Sequence, residues 1–510
     1  MEQKCLKTSV FVNETLFNET LEIAVDSDFT LPDYCPDISK IFKCQAVPRV
    51  AAKSINGRTV TVEGCVAITL IYADKEGRLS SFEYQYPFSK SFDTIGECTG
   101  ANICTKIRTE YINCRAYTGR KVDIHGACSL SVKLFKRKVS DVVSDYDDCN
   151  IELKKGFTAA TVPMGYEEKY LSIEEEIRIG DTNPIIGSLL RSDANAIVRE
   201  TKIINDKAVV KGDMSVCLIY CPEGGGTPQS IKTVIPFSQI IEMEGITELC
   251  KCDTTCQVAF LDVKPRANAG GENRIFQLNA KILLCCEAYC SNDIAVVFDA
   301  FSRKFEADIV RNKMTFQKII HNISETYHAK QNIELDNSIT SVIDIWSNVQ
   351  SSSAKFEEGN MNIMITLNVG MIVINDKDNA EYLEKSIDLK YKYPIENTLN
   401  IPYCEPQIEV SSCNYTIISD TSLEIRADLN ITAGVYEKND VSLISEMTLD
   451  EEKPISANRK GAMTIYFLKN DECVWDIARI YNASVEEIMR INELDSEKLA
   501  AGSMILVPVM

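Results

Sequence analysis

Cysteines are the residues with the greatest chemical potential in this sequence of 510 residues, which contains 20 of them. Two groups stand close together: Cys250, Cys252 and Cys256, and then Cys285, Cys286 and Cys290. Such thiols can bind zinc or exchange disulfides. The Cys-x-Cys-x3-Cys spacing differs from zinc-binding patterns, and no histidine lies near. We therefore expect thiols that line strands as small core residues and no metal site, with a metal or redox sensor as the alternative.

Signatures of catalysis are absent from the sequence. It has no Gly-x4-Gly-Lys-[Ser/Thr] phosphate loop, no Gly-x-Ser-x-Gly elbow and no His-Glu-x2-His zinc motif. The three histidines, His125, His321 and His328, lie far from the two cysteine groups in sequence, and no spacing pairs one of them with a cysteine nucleophile. We predict a protein that is not an enzyme and needs no cofactor.

The C-terminal segment, residues 463–510, has the clearest pattern of secondary structure. A strand, Met463–Leu468, leads into a polar turn, and a helical stripe of apolar residues follows at Val474, Ile477, Ala478 and Tyr481. Ser484 and Glu487 have the spacing of a capping box, which predicts the start of a second helix. A closing strand ends at Pro508, which cannot donate to a ladder.

This order of strand, helix, helix and strand resembles a LysM domain. The resemblance rests on Trp475–Ala478, on Tyr481–Ile488 and on the ending Gly502…Ile505-Leu506-Val507-Pro508. LysM domains bind N-acetylglucosamine polymers, such as peptidoglycan or chitin, in a groove between the first turn and the loop after the second helix. Here the turn reads Asn470-Asp471-Glu472 where the family has Gly-Asp-Thr, so side chains crowd the place where a glycan approaches the backbone. We expect the fold to be kept and glycan binding to be compromised.

The resemblance places the candidate partner-binding residues along this groove and the first helix. They are Asn470, Asp471, Glu472, Trp475, Asn492, Glu493, Leu494 and Asp495. Trp475 has two interpretations that the sequence leaves open. It is either a contact residue, because exposed aromatic side chains anchor interfaces, or a part of the packed core of the domain.

Composition and length bound the kind of protein. A chain of this length forms several domains, and its net charge of −20 argues against nucleic acid or an anionic membrane as a direct partner. The first residues lack the apolar segment of a secretory signal, and apolar runs such as Val66–Tyr72 are too short to span a bilayer. We expect a cytosolic protein with free thiols and no membrane insertion, which conflicts with a glycan ligand outside the cell.

Residues 1–462 contain an internal repeat that occurs three times. Val62–Tyr72 lines up with Val210–Tyr220 and, less closely, with Ile363–Val373. The next strand of each copy is predicted to end in a proline, in Tyr86-Pro87-Phe88, Ile235-Pro236-Phe237 and Tyr393-Pro394-Ile395. A period of about 150 residues predicts domains in tandem, because solenoid repeats are far shorter.

Each repeat has the pattern of a β-sandwich. Short runs rich in Val, Ile, Thr and Tyr are separated by turn signals such as Asn56-Gly57, and Asp37–Phe42 is expected to form one helical turn. The predicted fold is mainly β, with three sandwich-like units followed by a small βααβ LysM domain. The predicted boundaries are 1–140, 151–305, 306–449 and 463–510.

The first unit opens with Leu31-Pro32-Asp33-Tyr34-Cys35-Pro36-Asp37-Ile38, which is similar to the start of the SPOCS domain, formerly a domain of unknown function. Tandem SPOCS domains followed by a LysM domain resemble the layout of SipL-like spore coat morphogenetic proteins. The resemblance implies a scaffold in the mother-cell cytoplasm, at the outer surface of the forespore. Its LysM domain would bind the coat-basement ATPase SpoIVA, and its other units would position further coat proteins. A wall or cortex protein that binds peptidoglycan or chitin oligomers is the alternative.

Overall fold

The computed structural model describes residues 5–377, 380–396, 398, 400–455, 463–469 and 472–508. This part of the chain is built almost entirely from strands, and its helices are two short ones near the C-terminus. The prediction of a mainly β protein with sandwich units and a terminal βααβ domain is confirmed.

The first unit consists of two three-stranded antiparallel sheets that face each other. Its strands are β1 (Cys5–Thr30), β2 (Lys40–Asn56), β3 (Thr59–Ala73), β4 (Leu79–Asp93), β5 (Asn102–Ala116) and β6 (Lys121–Tyr146). The strand orders are β1-β6-β5 and β2-β3-β4. Alternate residues of the two middle strands, such as Val60 and Val62 on β3 and Val122 and Ile124 on β6, are buried between the sheets.

The second and third units repeat this topology. The second unit has β7 (Ile151–Arg178), β8 (Ile186–Ile204), β9 (Lys207–Pro222), β10 (Gln229–Glu242), β11 (Lys251–Ala267) and β12 (Asn273–Ser302). The third has β13 (Phe305–Glu334), β14 (Ile339–Glu357), β15 (Asn360–Asn375), β16 (Ala380–Pro394), β17 (Tyr403–Cys404), β18 (Gln407–Ser419) and β19 (Ser422–Pro454). Their sheets have the orders β11-β12-β7 with β10-β9-β8, and β13-β19-β18 with β14-β15-β16.

The strand register corrects one part of the predicted repeat. Pro87 and Pro236 lie in mid-strand, opposite Cys65 and Asp213. The equivalent position of the third unit is Asp388, opposite Thr366, whereas Pro394 lies at the end of β16. The prediction that these strands end in proline was therefore wrong for Pro87 and Pro236, because β4 and β10 are edge strands, where a residue without an N–H donor is tolerated in mid-strand. The third proline is not equivalent to the other two, since a short Tyr-Pro pattern does not fix the register.

The predicted helical turn at Asp37–Phe42 is also wrong. The Ile38 N–H donates to the Gly119 carbonyl at 2.6 Å and the Ser39 N–H donates to the Ala73 carbonyl at 2.8 Å. These amides are bound to two other segments of the unit, so no helical ladder forms, and β2 begins at Lys40.

Long outer strands join the three units. The first and last strands of each unit are 26 to 33 residues long and continue past the sandwich as a two-stranded ribbon. Bulges at Leu16, Met164 and Ile320 mark where each ribbon leaves its sandwich. We call the bundle of the three ribbons the stalk. Its core contains residues of all three units: Val10, Val142, Ala160, Val296, Phe316, Val441 and Leu443.

The sandwiches also meet at the end opposite the stalk, at equivalent positions of the three units that we call the axial residues. Lys43, Arg191 and Asp344 are equivalent residues, because each follows a bulge and lies opposite an equivalent isoleucine. Arg191 is 2 % exposed; its Nε donates to Gln45 of the first unit at 3.0 Å, and its guanidinium stacks on Trp346 of the third. A buried charge is thus shared among three domains.

The cysteines depart from the prediction in one place. Cys250 and Cys290 form a disulfide between the start of β11 and β12, with their Cα atoms 4.6 Å apart. The expectation that all the thiols are free was therefore wrong for this pair, because the antiparallel register of β11 and β12 brings the two residues opposite each other. The other cysteines are free thiols in the described residues.

Neither helix within the described ranges has the length and apolar character needed to cross a membrane. In the same residues, no three His, Cys, Asp or Glu side chains come together as metal ligands.

Candidate functional site

The C-terminal domain is a compact unit of two paired strands and two helices. Its elements are β20 (Met463–Phe467), α1 (Val474–Tyr481), α2 (Val485–Ile491) and β21 (Met504–Pro508). The strands are antiparallel, and the helices cover one face of them. The predicted cap at Ser484 is present, with its side chain accepting from the Glu487 N–H. Sequence reasoning missed a second cap, in which the Asp476 carboxylate accepts from the Cys473 N–H at 2.9 Å at the start of α1.

The first side of the predicted groove is the turn between β20 and α1. Asn470 and Asp471 lie outside the described residues. The Glu472 carboxylate accepts hydrogen bonds from the Tyr466 hydroxyl at 2.9 Å and from the Lys469 N–H at 2.9 Å. The first of these bonds raises the pKa of Tyr466. The side chain of Glu472, in the place where the family has a small hydroxyl, is therefore held against Tyr466 and Lys469.

The second side of the groove is the segment after α2. Asn492 has a structural role there, because its amide exchanges hydrogen bonds of 2.7 Å with the N–H and the carbonyl of Leu506. Leu494 packs against the domain core. Glu493 and Asp495 are exposed, so they are the two predicted residues of this segment that are free to contact a partner.

Trp475 is packed against the second sandwich unit. It is 4 % exposed, its ring meets the edge of Phe301 with centroids 5.1 Å apart, and its Nε1 donates to Asp299 at 3.0 Å. Of the two interpretations that the sequence leaves open, this arrangement agrees with the one in which Trp475 is a packed residue. The packing extends beyond the C-terminal domain itself, since Asp299 and Phe301 both belong to β12.

The outer face of the two-stranded sheet is apolar, which sequence reasoning missed. Met463, Ile465 and Phe467 alternate along β20 and point away from the helices, and Met504 lies opposite Phe467. All four side chains are more than half exposed, between 53 and 62 %. The sequence pattern that predicts this face is the alternation Met-Thr-Ile-Tyr-Phe. Its first, third and fifth residues are the more apolar ones, and they lie on the face that the helices do not cover. We call these four residues the sheet face.

Four partly buried thiols are poor nucleophiles. Burial raises the pKa of Cys217, Cys221 and Cys404 to about 11 and that of Cys285 to about 12. These groups are protonated at neutral pH, whereas a nucleophilic cysteine needs a lowered pKa.

A groove of 290 Å³ lies in the first unit between the edges of β1 and β4. It is lined by Glu22–Ala24 and Tyr86–Lys90. Its charged groups are one carboxylate and one ammonium, and no histidine or cysteine faces it, so the lining has no set of groups that would perform acid–base or nucleophilic catalysis.

Comparison with protein families agrees with this geometry. Two segments, residues 37–116 and 186–266, match the family described as SipL, SPOCS domain, and residues 468–508 match the LysM domain. The chain therefore contains SPOCS-domain segments and a C-terminal LysM domain. Both are non-catalytic domain families, and together they fit a protein of sporulation, as the resemblance to SipL-like proteins implies. No curated protein and no solved structure matches the chain.

The two matched SPOCS segments lie in the first and second units, while the third unit has the same topology without a match. One structural difference lies in the loop between the first two strands of each unit. Arg120 and Arg274 occupy equivalent positions and donate to loop carbonyls, at 2.6 Å to Pro32 and at 3.1 Å to Asn183. The third unit has Thr421 at this position and a shorter loop; the two arginines lie outside the matched segments, 37–116 and 186–266.

Proposed function

We propose that this protein is a non-enzymatic scaffold of spore coat assembly, and that its LysM domain binds a SpoIVA-like coat-basement ATPase. The scaffold acts in the mother-cell cytoplasm at the outer surface of the forespore, where its SPOCS units position other coat proteins. The observation that carries the proposal is the sheet face of the LysM domain.

The sheet face has the character of a protein-binding surface. Met463, Ile465, Phe467 and Met504 form one continuous exposed apolar patch on a very small domain. Contiguous apolar patches of this kind mark contacts with proteins, and methionine and aromatic side chains are enriched in such contacts. A neutral glycan would instead need the hydrogen-bonding groove on another side of the domain.

The groove itself supports a protein ligand over a glycan. The Glu472 carboxylate is hydrogen-bonded to Tyr466 and Lys469, and the Asn492 amide is hydrogen-bonded to β21. Two of the groups at the groove are therefore committed to holding the LysM fold together. The exposed Glu493 and Asp495 add negative charge, which suits a basic protein surface better than an uncharged sugar.

A single charged substitution tests the proposal. In the full chain, Ile465→Arg places a cation in the centre of the sheet face, and we expect co-purification with the SpoIVA-like ATPase to weaken by about tenfold or more, as for a central interface residue. The matched control is Ile480→Arg, because Ile480 is an equally exposed aliphatic residue on α1. It should leave binding unchanged.

A peptidoglycan pull-down of the same variants separates the alternative function. The glycan-binding alternative predicts retention of the wild-type chain on peptidoglycan with no effect of Ile465→Arg. That result, together with unchanged binding of the ATPase by Ile465→Arg, would contradict the proposal.

A further inference from the structure

The LysM domain is fixed to the stalk by one carboxylate. Asp299 Oδ2 accepts from Trp475 Nε1 at 3.0 Å and from Arg479 Nη1 at 2.9 Å. The other oxygen of Asp299 pairs with Arg311 on β13. Three parts of the chain thus meet at one side chain, which is 18 % exposed. Hydrogen bonds to a charged, partly desolvated group are the stronger kind.

The internal repeat shows what is special about this position. Each ribbon has a bulge at an equivalent place, at Ser144, Phe298 and Ser445. The residue after the bulge is acidic in all three units: Asp145, Asp299 and Glu446. Asp145 pairs with Lys155 of the next unit at 2.8 Å, just as Asp299 pairs with Arg311 of the next unit. In the first and second units the acidic position therefore joins neighbouring ribbons, and at Asp299 it binds the LysM domain as well.

A second residue distinguishes the second unit from the others. Two positions after Asp299 stands Phe301, which belongs to the same apolar cluster as Trp475, Val474 and Ile477. The residues at the equivalent positions are Asp147 in the first unit and Thr448 in the third. Neither would give an indole ring an apolar surface to pack on, so an acidic residue with an aromatic one two positions later occurs at this place in one ribbon of the three.

We propose that Asp299 and Phe301 form an intramolecular docking site, which we call the dock, that holds the LysM domain on the second unit through Trp475 and Arg479. Trp475 is then a positioning residue and makes no contact with the partner. This inference rests on the proposed function, since it concerns how the partner-binding domain is presented. With α1 held on the stalk, the sheet face is left outward, and the SPOCS units and the bound ATPase move as one body.

Hydrogen exchange measured by mass spectrometry on the full chain tests the dock without any partner. In the double variant Asp299→Ala/Phe301→Thr we expect the amides of α1 to exchange about tenfold faster than in the wild type, because desolvated charged contacts are lost. The amides of α2 should keep their protection, since α2 packs within the LysM domain. The matched control is Asp145→Ala, which removes the equivalent acid and should leave α1 unchanged.

The outcomes are distinct. Faster exchange in α1 alone supports the dock, whereas unchanged exchange in both helices, or equal loss in both, overturns it. Trp475→Phe, which keeps a ring but loses the N–H donor, should also speed exchange in α1 and yet bind the SpoIVA-like ATPase within about threefold of the wild type. Loss of ATPase binding with unchanged exchange would instead make Trp475 a partner contact. Because Ile465→Arg is measured separately, failure of the dock leaves the proposed function testable on its own.

Discussion

Single residues were identified from the sequence more readily than their contacts. Trp475 and Asn492 were both selected as site residues because a LysM pattern contains them. The role of Trp475 depends on Asp299, which is distant along the chain. The role of Asn492, at the end of α2, depends on Leu506 of β21. A residue type and its local spacing predict a helix or a cap, but tertiary contacts of this kind are set by the packing of whole domains.

One buried carboxylate gives a prediction at this scale. Burial raises the pKa of Glu409 on β18 to about 7, although Lys106 of the first unit opposes the shift. The folded protein therefore binds a proton more tightly than the unfolded chain, and the free energy of unfolding should fall as the pH rises from about 4.5 to about 7. Glu409→Gln should remove this loss and raise stability at pH 8 by about 2 kcal/mol.

Thermal unfolding at pH 4.5 and pH 8 measures the effect. The two proteins should differ at pH 8 and nearly coincide at the lower pH, where Glu409 is protonated in the folded state. Glu405→Gln is the control, since Glu405 is an exposed carboxylate in the same part of the third unit. An equal gain at both pH values would show that the charge of Glu409 is not the cause.

Elements were predicted well where the pattern is local and poorly where it depends on pairing. The two LysM helices and the strands around Val62, Val210 and Ile363 follow from apolar spacing and turn residues. The ribbons and their bulges were not predicted, although the buried residues of β1 change from an even position, Val10, to odd positions, Ile23 and Val25, across Leu16. The pairing with β6 shows that this change is a register shift.

Strand pairing in the first two units depends on a glycine beneath a phenylalanine. At Gly212 a Cβ would lie 2.3 Å from the Ile197 carbonyl oxygen and 2.4 Å from the Phe237 ring, and Gly64 is equally crowded by Phe88. Gly212→Ala should therefore destabilise the protein by about 2 kcal/mol or more, through overpacking. Chemical denaturation measures this loss, and Gly96→Ala is the control because a Cβ there meets nothing within 4 Å.

The packing of the three units is the feature that no sequence pattern revealed. The repeat predicted domains in tandem, which are usually joined by linkers and move independently. Here the stalk core and the axial residues are drawn from all three units. The third unit, which has no family match, supplies Trp346 and Asp344 to the buried Arg191. We infer that this divergent unit completes the arrangement of the two SPOCS domains.

Arg191 tests whether the whole molecule folds as one body. Arg191→Met keeps much of the side-chain volume but removes the charge that faces Asp344, a side chain only 2 % exposed. Asp344 would keep Lys232 as a partner at 3.1 Å. We therefore expect the free energy of unfolding to fall by about 3 kcal/mol, at the low end for breaking a buried pair. Calorimetry should show one transition that moves as a whole to lower temperature, since Arg191 contacts all three units.

Arg199→Met on the same strand is the control, because Arg199 is half exposed and pairs with Asp213 inside its own unit. Separate transitions, with only the second unit shifted, would instead mean that the three sandwiches unfold independently and that their contacts at the axial residues add little.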